Sequence, residues 1–359
     1  MMLNFKNKNT YIIAEAGVNH NGSLKIAKKL IISAKKAGAD AIKFQIFNSN
    51  ELVSKNAKKA PYQIKNTKSK TSQLSMLRNL ELDKKDFKKL LAFTKKIKID
   101  FIASVFDEES LNFLVNILKQ KIIKIPSGEI TNFLLLKKIN LNKNQIILST
   151  GMSNMQEIVD AINVIAKKNI YKILNKKIKI IDKKLHKEIK QKLFILHCTT
   201  DYPVEDKYVN LNCIDQIKKD LDLIVGYSDH TKDYITSLIS VVKSAKIIEK
   251  HFTLDKNLYG PDHIASLDPL EFAQMVKYIR RSKNIMGSSK KIIQKCELKN
   301  RTVVRKSLIA KNYIKKNQKF ELKDISAKRP ANGIPPIYLD KVIGKKAKKN
   351  FKKEELIKL

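Results

Sequence analysis

The chain has 359 residues, enough for one large domain and a small companion, and its 43% hydrophobic content supports a substantial core. Its formal charge of +39 raises the question of nucleic acid, but only six of its 73 basic residues are arginine and no aromatics are interleaved with the lysines, which argues against base-reading and strand-stacking surfaces and for a solvated lysine surface. No run reaches about 18 uninterrupted apolar residues and no signal-peptide pattern opens the chain, so a soluble, cytoplasmic protein with no membrane partner is expected.

Short β-rich runs recur along the chain with helical stretches between them. The first, Tyr11 to Glu15, precedes NGSLKIAKKLIISAKKAGAD, where Ser23 is placed to cap a helix that carries Ile26, Ala27, Leu30, Ile31 and Ala34 on one side and ends near Gly38. Ala41 to Gln45 is the second run. From Phe47 to Glu81 the rhythm breaks into a polar, lysine-rich loop with a short helix, long enough to fold over its surroundings. Phe101 to Ser104, Lys121 to Ile125 and Ile146 to Ser149 follow. SNMQEIVDAINVIAKK then reads as a helix capped at Ser153, and Lys167 to Lys192 as a solvated helical excursion. Leu193 to His197, Leu223 to Tyr227 and Ala245 to Lys250 complete eight candidate strands. Largely apolar strands alternating with helices imply a parallel sheet, and eight such units imply closure into a (β/α)8 TIM barrel.

Past Met286 the rhythm stops. The expected division is a barrel over 1–285, a linker over 286–300 and a small domain over 301–359, with short strands in RTVVRKSLIAK and FELKDISAKR and a Pro-rich turn at ANGIPP. A domain of about 60 residues is marginal alone and needs another surface to pack on.

In a closed barrel the carboxyl ends of the strands meet at one mouth, so what each run ends in is informative. Glu15, Lys43 and Gln45, Ser104 and Phe106, Lys124 with Ser127 and Glu129, Ser149, Thr200 and Tyr202, Ser228 and His230, and His251 with Asp262 all fall there. Lys43 and Lys124 interrupt strands that should be buried, and a buried ammonium costs several kcal/mol unless it is paired or meets an anion. Either they pair with Glu15 and Glu129 in an ion network, or with Ser127 and Ser149 they hold a phosphate. His230 and His251 in adjacent loops suit Mn²⁺, Zn²⁺ or a related divalent ion, which would polarise a carbonyl; the other reading makes them hydrogen-bonding core histidines. The three cysteines show no CxxC spacing, and no glycine pattern supports a nucleotide cofactor.

The segments AEAGVNHNGS, AIKFQIF, KIPSGE, LSTGMS, LHCTTDYP, VGYSDHT, EKHFTLDK, GPDHIASLDP and KRPANGI together resemble the N-acetylneuraminate (sialic acid) synthase family, which includes the legionaminate and pseudaminate synthases. The likeness runs from Tyr11 to the C-terminus. It implies a barrel followed by an antifreeze-like (SAF) domain, and condensation of phosphoenolpyruvate with the open-chain aldehyde of an N-acetylated hexosamine, giving a 2-keto acid and phosphate. Mn²⁺ is the implied metal, with Mg²⁺ or Co²⁺ as substitutes, and His230 and His251 its ligands. Lys43, Lys124, Ser127 and Ser149 would hold phosphoenolpyruvate, with Ser104, Thr200 and Ser228 nearby. Gln45, Glu129, Tyr202 and Asp262 would contact the sugar, beside Phe106, and Glu15 matches the family's essential glutamate. Arg329 matches an arginine that reaches the barrel of the other subunit, which implies a domain-exchanged homodimer.

The chain departs from the family's pattern in ASVF, where Ser104 and Val105 stand for threonine and proline; at Ala331, where a glycine is usual, so that φ should be negative; and at Thr200, an asparagine in some relatives. The expected acceptor is N-acetylmannosamine, with 2,4-diacetamido-2,4,6-trideoxymannose, giving diacetyllegionaminate, as the alternative. A Schiff-base aldolase using Lys124 and a nucleic-acid-binding protein are the rivals from other classes.

Overall fold

A computed structural model describes residues 2–3, 10–69 and 71–359. Two compact units divide the chain, Met1–Gly287 and Ser288–Leu359. In the first, strands β1 (Tyr11–Gly17), β2 (Ala41–Ile46), β3 (Asp100–Val105), β4 (Ile122–Ile125) and β5 (Gln145–Ser149) are followed by a hairpin of β6 (Tyr171–Leu174) and β7 (Lys177–Ile180). Then come β8 (Leu193–His197), β9 (Ile224–Asp229) and β10 (Ile247–His251). The hairpin stands apart, and the other eight close a parallel barrel in the order β1-β10-β9-β8-β5-β4-β3-β2. The expected TIM barrel is the fold, and each strand lies within a few residues of its sequence reading.

Alternation along these strands sorts two cores. Ile12, Ala14, Ile42, Phe44, Ala103, Ile123, Leu148, Ile195, Val225 and Ile248 belong to the large cluster shared with the surrounding helices. Their neighbours of opposite parity, Ile13, Ala41, Ile102, Ile122, Ile147, Phe194 and Ile247, form a separate buried cluster with Leu3. This second cluster fills the barrel below its polar mouth, as expected of an interior packed with branched side chains. Gln145 closes it, its amide Nε2 donating to the Leu3 carbonyl at 3.0 Å.

The helix Leu24–Lys36 shows why its sequence folds there. Ser23 accepts the amide of Ile26, Ala27, Leu30, Ile31 and Ala34 are buried, and Gly38 turns the chain at φ +88°. Three local readings are corrected. The helix Met155–Ala166 is capped by Asn154, not Ser153, because Asn154 accepts from Gln156 and Glu157 while Glu157 reaches back to its amide, a reciprocal box that serine one residue earlier cannot make. The stretch 167–192 holds the β6–β7 hairpin before its helix Lys183–Ile189; the turn residues Asn175 and Lys176 both adopt positive φ, 49° and 60°, the hand that suits a two-residue hairpin. Between 47 and 81 lie three helices, Ser49–Leu52, Pro61–Thr67 and Gln73–Leu80, rather than one.

In the second unit the segment Glu297–Val304 is helical where the end of a linker and the start of a short strand are expected. β11 (Ser307–Ala310) and β12 (Ile325–Lys328) pair antiparallel over a core of Leu308, Ile314, Phe320, Ile325, Val342, Phe351 and Ile357. Ala331 is absent from the positive-φ positions, so it adopts the backbone that an alanine tolerates. Its amide donates to the Thr302 carbonyl at 2.8 Å.

Candidate active site

Parity decides which strand-end side chains enter the barrel. On β10, Ile247, Glu249 and His251 point inward and Ile248 and Lys250 outward; on β9, Ser228 shares the inward face and Asp229 does not. Above the apolar plug the inward residues form a charged layer. Lys43 Nζ lies 2.7 Å from Glu15 Oε2 and 3.6 Å from Glu249 Oε1, and donates to Ser104 Oγ at 2.9 Å. Lys124 Nζ lies 3.1 Å from Glu249 Oε1 and donates to Ser149 Oγ at 2.7 Å. Ser228 donates to the same Glu249 oxygen at 3.0 Å, and Gln45 donates to Glu15 Oε1 at 3.2 Å.

The ion-network alternative is therefore present, with one partner changed. Lys43 pairs with Glu15 as that reading has it, whereas Lys124 meets Glu249 and not Glu129. Glu129 lies past the end of β4 in a short 3-10 turn, half-buried, and accepts from Asn132 at 2.6 Å. Glu249 is the residue that sequence reasoning missed. The signal was available: if His251 faces the mouth, so must the residue two before it.

Burial shapes the charges. It would raise the Glu249 carboxyl, but the ammonium groups of Lys124 and Lys43 outweigh it and hold the group down at about 2. For Glu15 burial prevails over the pull of Lys43, and the nearby Glu249 charge adds to it, so its carboxyl is raised. Burial lowers the Lys124 ammonium against the attraction of Glu249, whereas for Lys43 its two carboxylate neighbours overcome burial and raise it. Asp262, buried and close to the Glu15 charge, is raised to about 7.

Beside this layer stand the aromatic groups. The His230 and His251 rings lie 5.5 Å apart between centroids, and Tyr202 packs 4.2 Å from His230 and 5.4 Å from His251. His230 Nδ1 sits 2.6 Å from the Thr199 carbonyl oxygen, an acceptor only, so Nδ1 carries the proton and Nε2 the lone pair. Burial lowers His230 to about 4 and, with His230 and Lys43 beside it, drives His251 well below the ordinary imidazole range. Both are neutral near pH 7. His251 Nδ1 is buried with no hydrogen-bond partner, and lies 4.0 Å from Asp262 Oδ2. Two neutral imidazoles, one with an orphaned nitrogen, fit a divalent cation. No cluster of three or more His, Cys, Asp or Glu able to hold a metal occurs among the described residues, so such a cation would draw further ligands from water or substrate oxygen.

Ser127, Cys198 and Thr200 converge over Gly151. The Gly151 amide donates to Ser127 Oγ at 3.0 Å, and a Cβ on Gly151 would lie 2.2 Å from Thr200 Oγ1, 2.9 Å from Ser127 Oγ and 3.1 Å from Cys198 Sγ. Only glycine fits there, a constraint STGMS did not reveal. Phe106 packs edge-on to Phe47 at 6.1 Å, beside the buried cluster of Val18, Met76, Leu77 and Leu80. From the helix Pro61–Thr67, Tyr62 packs 4.8 Å from Tyr202, and Asn66 donates to the carbonyls of Tyr202 and Pro261 at 3.1 and 2.6 Å. The 47–81 excursion thus reaches the imidazole side of the mouth. Arg329 lies in the second unit, exposed, just after β12.

A closed parallel barrel with buried ammonium, carboxyl and imidazole groups gathered at its strand carboxyl ends places the protein among the (β/α)8-barrel enzymes. Comparison with known proteins narrows this. The NeuB family model matches residues 30–291 and the SAF domain model residues 305–359. An N,N'-diacetyllegionaminic acid synthase of Campylobacter jejuni is 48% identical over 98% of this chain and 99% of its own length. A Legionella pneumophila protein of the same name is 39% identical over 95% and 91%. The crystal structure of an N-acetylneuraminic acid (sialic acid) synthetase from Leptospira borgpetersenii in complex with citrate is 32% identical, with a TM-score of 0.67 over 82% of this chain and 90% of that one. The chain belongs to the NeuB family, the phosphoenolpyruvate–sugar condensing synthases of legionaminate, pseudaminate and sialic acid type, and carries their C-terminal SAF domain.

Proposed function

We propose that the protein is an N,N'-diacetyllegionaminate synthase, joining phosphoenolpyruvate to 2,4-diacetamido-2,4,6-trideoxymannose with release of phosphate. The observation that carries the choice of sugar is the 48% identity, across almost the whole of both chains, to the Campylobacter jejuni enzyme of that name. This replaces N-acetylmannosamine, the acceptor first expected from the motifs.

Lys43 and Lys124, with the hydroxyls of Ser127 and Ser149 and those of Ser104, Thr200 and Ser228 nearby, bind the phosphate and carboxylate of phosphoenolpyruvate. Their ammonium groups are held at the mouth by Glu15 and Glu249 before any ligand arrives, which reduces reorganisation on binding. Gln45, Phe106, Glu129, Tyr202 and Asp262 orient the sugar. His230 and His251 hold a divalent cation, Mn²⁺ in this proposal, which when bound supplies Lewis-acid polarisation of the sugar aldehyde. C3 of phosphoenolpyruvate forms the new bond to the aldehyde carbon, whose oxygen becomes a hydroxyl; water adds at C2, its two protons go to that hydroxyl and to phosphate, and the C2–O bond breaks so that phosphate leaves with the bridging oxygen and C2 becomes the keto carbon. Glu15, a buried carboxyl of raised pKa, exchanges the proton that this water gives up. Asp262, raised to about 7, both accepts and donates to sugar hydroxyls near neutrality. Arg329 comes from the second subunit of a domain-exchanged dimer and meets an acetamido group.

The test is a pair of kcat/KM values, measured on the purified protein with phosphoenolpyruvate, Mn²⁺ and each sugar, with products identified by mass. The diacetamido sugar should be preferred by at least about 100-fold, as a site built to hydrogen-bond a group rejects the analogue lacking it. A reversed preference would make this an N-acetylneuraminate synthase, and equal values would refute the assigned selectivity.

A further inference from the structure

The outward faces of β9 and β10 carry a second buried ion pair that the proposed chemistry does not use. Asp229 and Lys250 are register partners on the last rung of the β9–β10 ladder, and both side chains are fully buried. Lys250 Nζ lies 3.0 Å from Asp229 Oδ1 and donates to the carbonyl oxygen of Thr231 at 2.6 Å. One ammonium therefore grips both neighbours of His230, while its own backbone immediately precedes His251. Beyond that rung the ladder offers the two histidines no pairing to each other. Asp229 is fixed in turn: it accepts from the Thr231 amide and hydroxyl at 2.9 and 2.7 Å, from Thr236 Oγ1 at 2.8 Å and from Ser237 Oγ at 2.5 Å.

We propose that Lys250 is a positioning residue that sets the separation of His230 and His251, and through it the affinity of the barrel mouth for a divalent cation. The inference rests on the reading that these two imidazoles hold the cation. Strand ends free to splay by a fraction of an ångström would still fold, but their imidazole nitrogens would no longer converge on one ion. The outer pair, touching neither substrate nor ion, is thus the scaffold of the imidazole pair.

The experiment titrates Mn²⁺ alone into the full-length, chelator-stripped protein and follows free Mn²⁺ by electron paramagnetic resonance. His230→Ala should abolish tight binding. Lys250→Met should weaken it roughly 10- to 100-fold, the usual cost of losing a residue that orients metal ligands. Because Lys250→Met leaves Asp229 buried and unpaired, the double variant Asp229→Asn/Lys250→Met is measured beside it. Its two neutral side chains of similar shape should recover thermal stability but not affinity, which separates positioning from folding. A stable double variant that binds Mn²⁺ as tightly as the parent would overturn the inference. Failure of the parent itself to bind, or undiminished binding by His230→Ala, would instead refute the cation reading and the inference with it.

Discussion

Two buried ion networks share strands β9 and β10 and differ in how completely they are satisfied. On the outward face every oxygen of Asp229 has a partner among hydroxyls, an amide and Lys250, so nothing is left to bind. On the inward face Glu249 Oε2, Thr200 Oγ1 and His251 Nδ1 are buried without a hydrogen-bond partner. A native protein rarely leaves buried polar atoms orphaned. The contrast separates a clamp, complete in itself, from a site that a ligand completes. Charge burial alone would not have told them apart.

The first way to break that contrast is Glu15→Ala. It should lower kcat roughly 10²- to 10⁴-fold, the usual contribution of a positioned acid or base, with only a small stability loss because Lys43 keeps Glu249 as a partner at 3.6 Å. Asp229→Ala should act chiefly on stability. Leaving Lys250 buried and unpaired is expected to cost about 3–5 kcal/mol in denaturant unfolding. Equal stability losses for the two variants would erase the distinction. A finer test uses pH on chelator-stripped protein. Asp262 has its folded pKa raised from 3.8 to about 7, so its contribution to stability is full below the unfolded value and is lost as pH rises through about 7. Asp262→Asn should flatten the fall in stability between about pH 4 and 7; an unchanged profile would mean that another group titrates there. The smallest effect is expected for Arg329→Ala, which should raise the KM for the sugar roughly 10-fold, worth one charged hydrogen bond, with little change in kcat. An unchanged KM would remove Arg329 from the site.

The sequence carried the barrel well because its strands are short apolar runs repeated between helices, and their polar ends, Glu15, Lys43, Lys124, Ser149, Ser228, His230 and His251, stand out against that background. It carried less where the deciding interaction is between residues far apart. Glu249 and Lys250 sit together in EKH, and only the barrel's parity sends one to the mouth and the other to Asp229. The β6–β7 hairpin escapes the sequence reading although Lys177, Ile178, Lys179 and Ile180 alternate, because so many lysines read as a solvated surface and the Asn175–Lys176 turn lacks the glycine that usually marks one. Gly151 is legible only after Ser127, Cys198 and Thr200, from other strand ends, are seen to close over it.

In the proposed reaction the inward network binds phosphoenolpyruvate so that water attacks C2 and phosphate departs with its bridging oxygen. Running the reaction in H₂¹⁸O with the diacetamido sugar and Mn²⁺, and weighing both products, tests this directly. The released phosphate should contain no ¹⁸O while the nine-carbon keto acid gains it. Phosphate carrying one ¹⁸O would show cleavage at phosphorus and contradict the proposed use of the site.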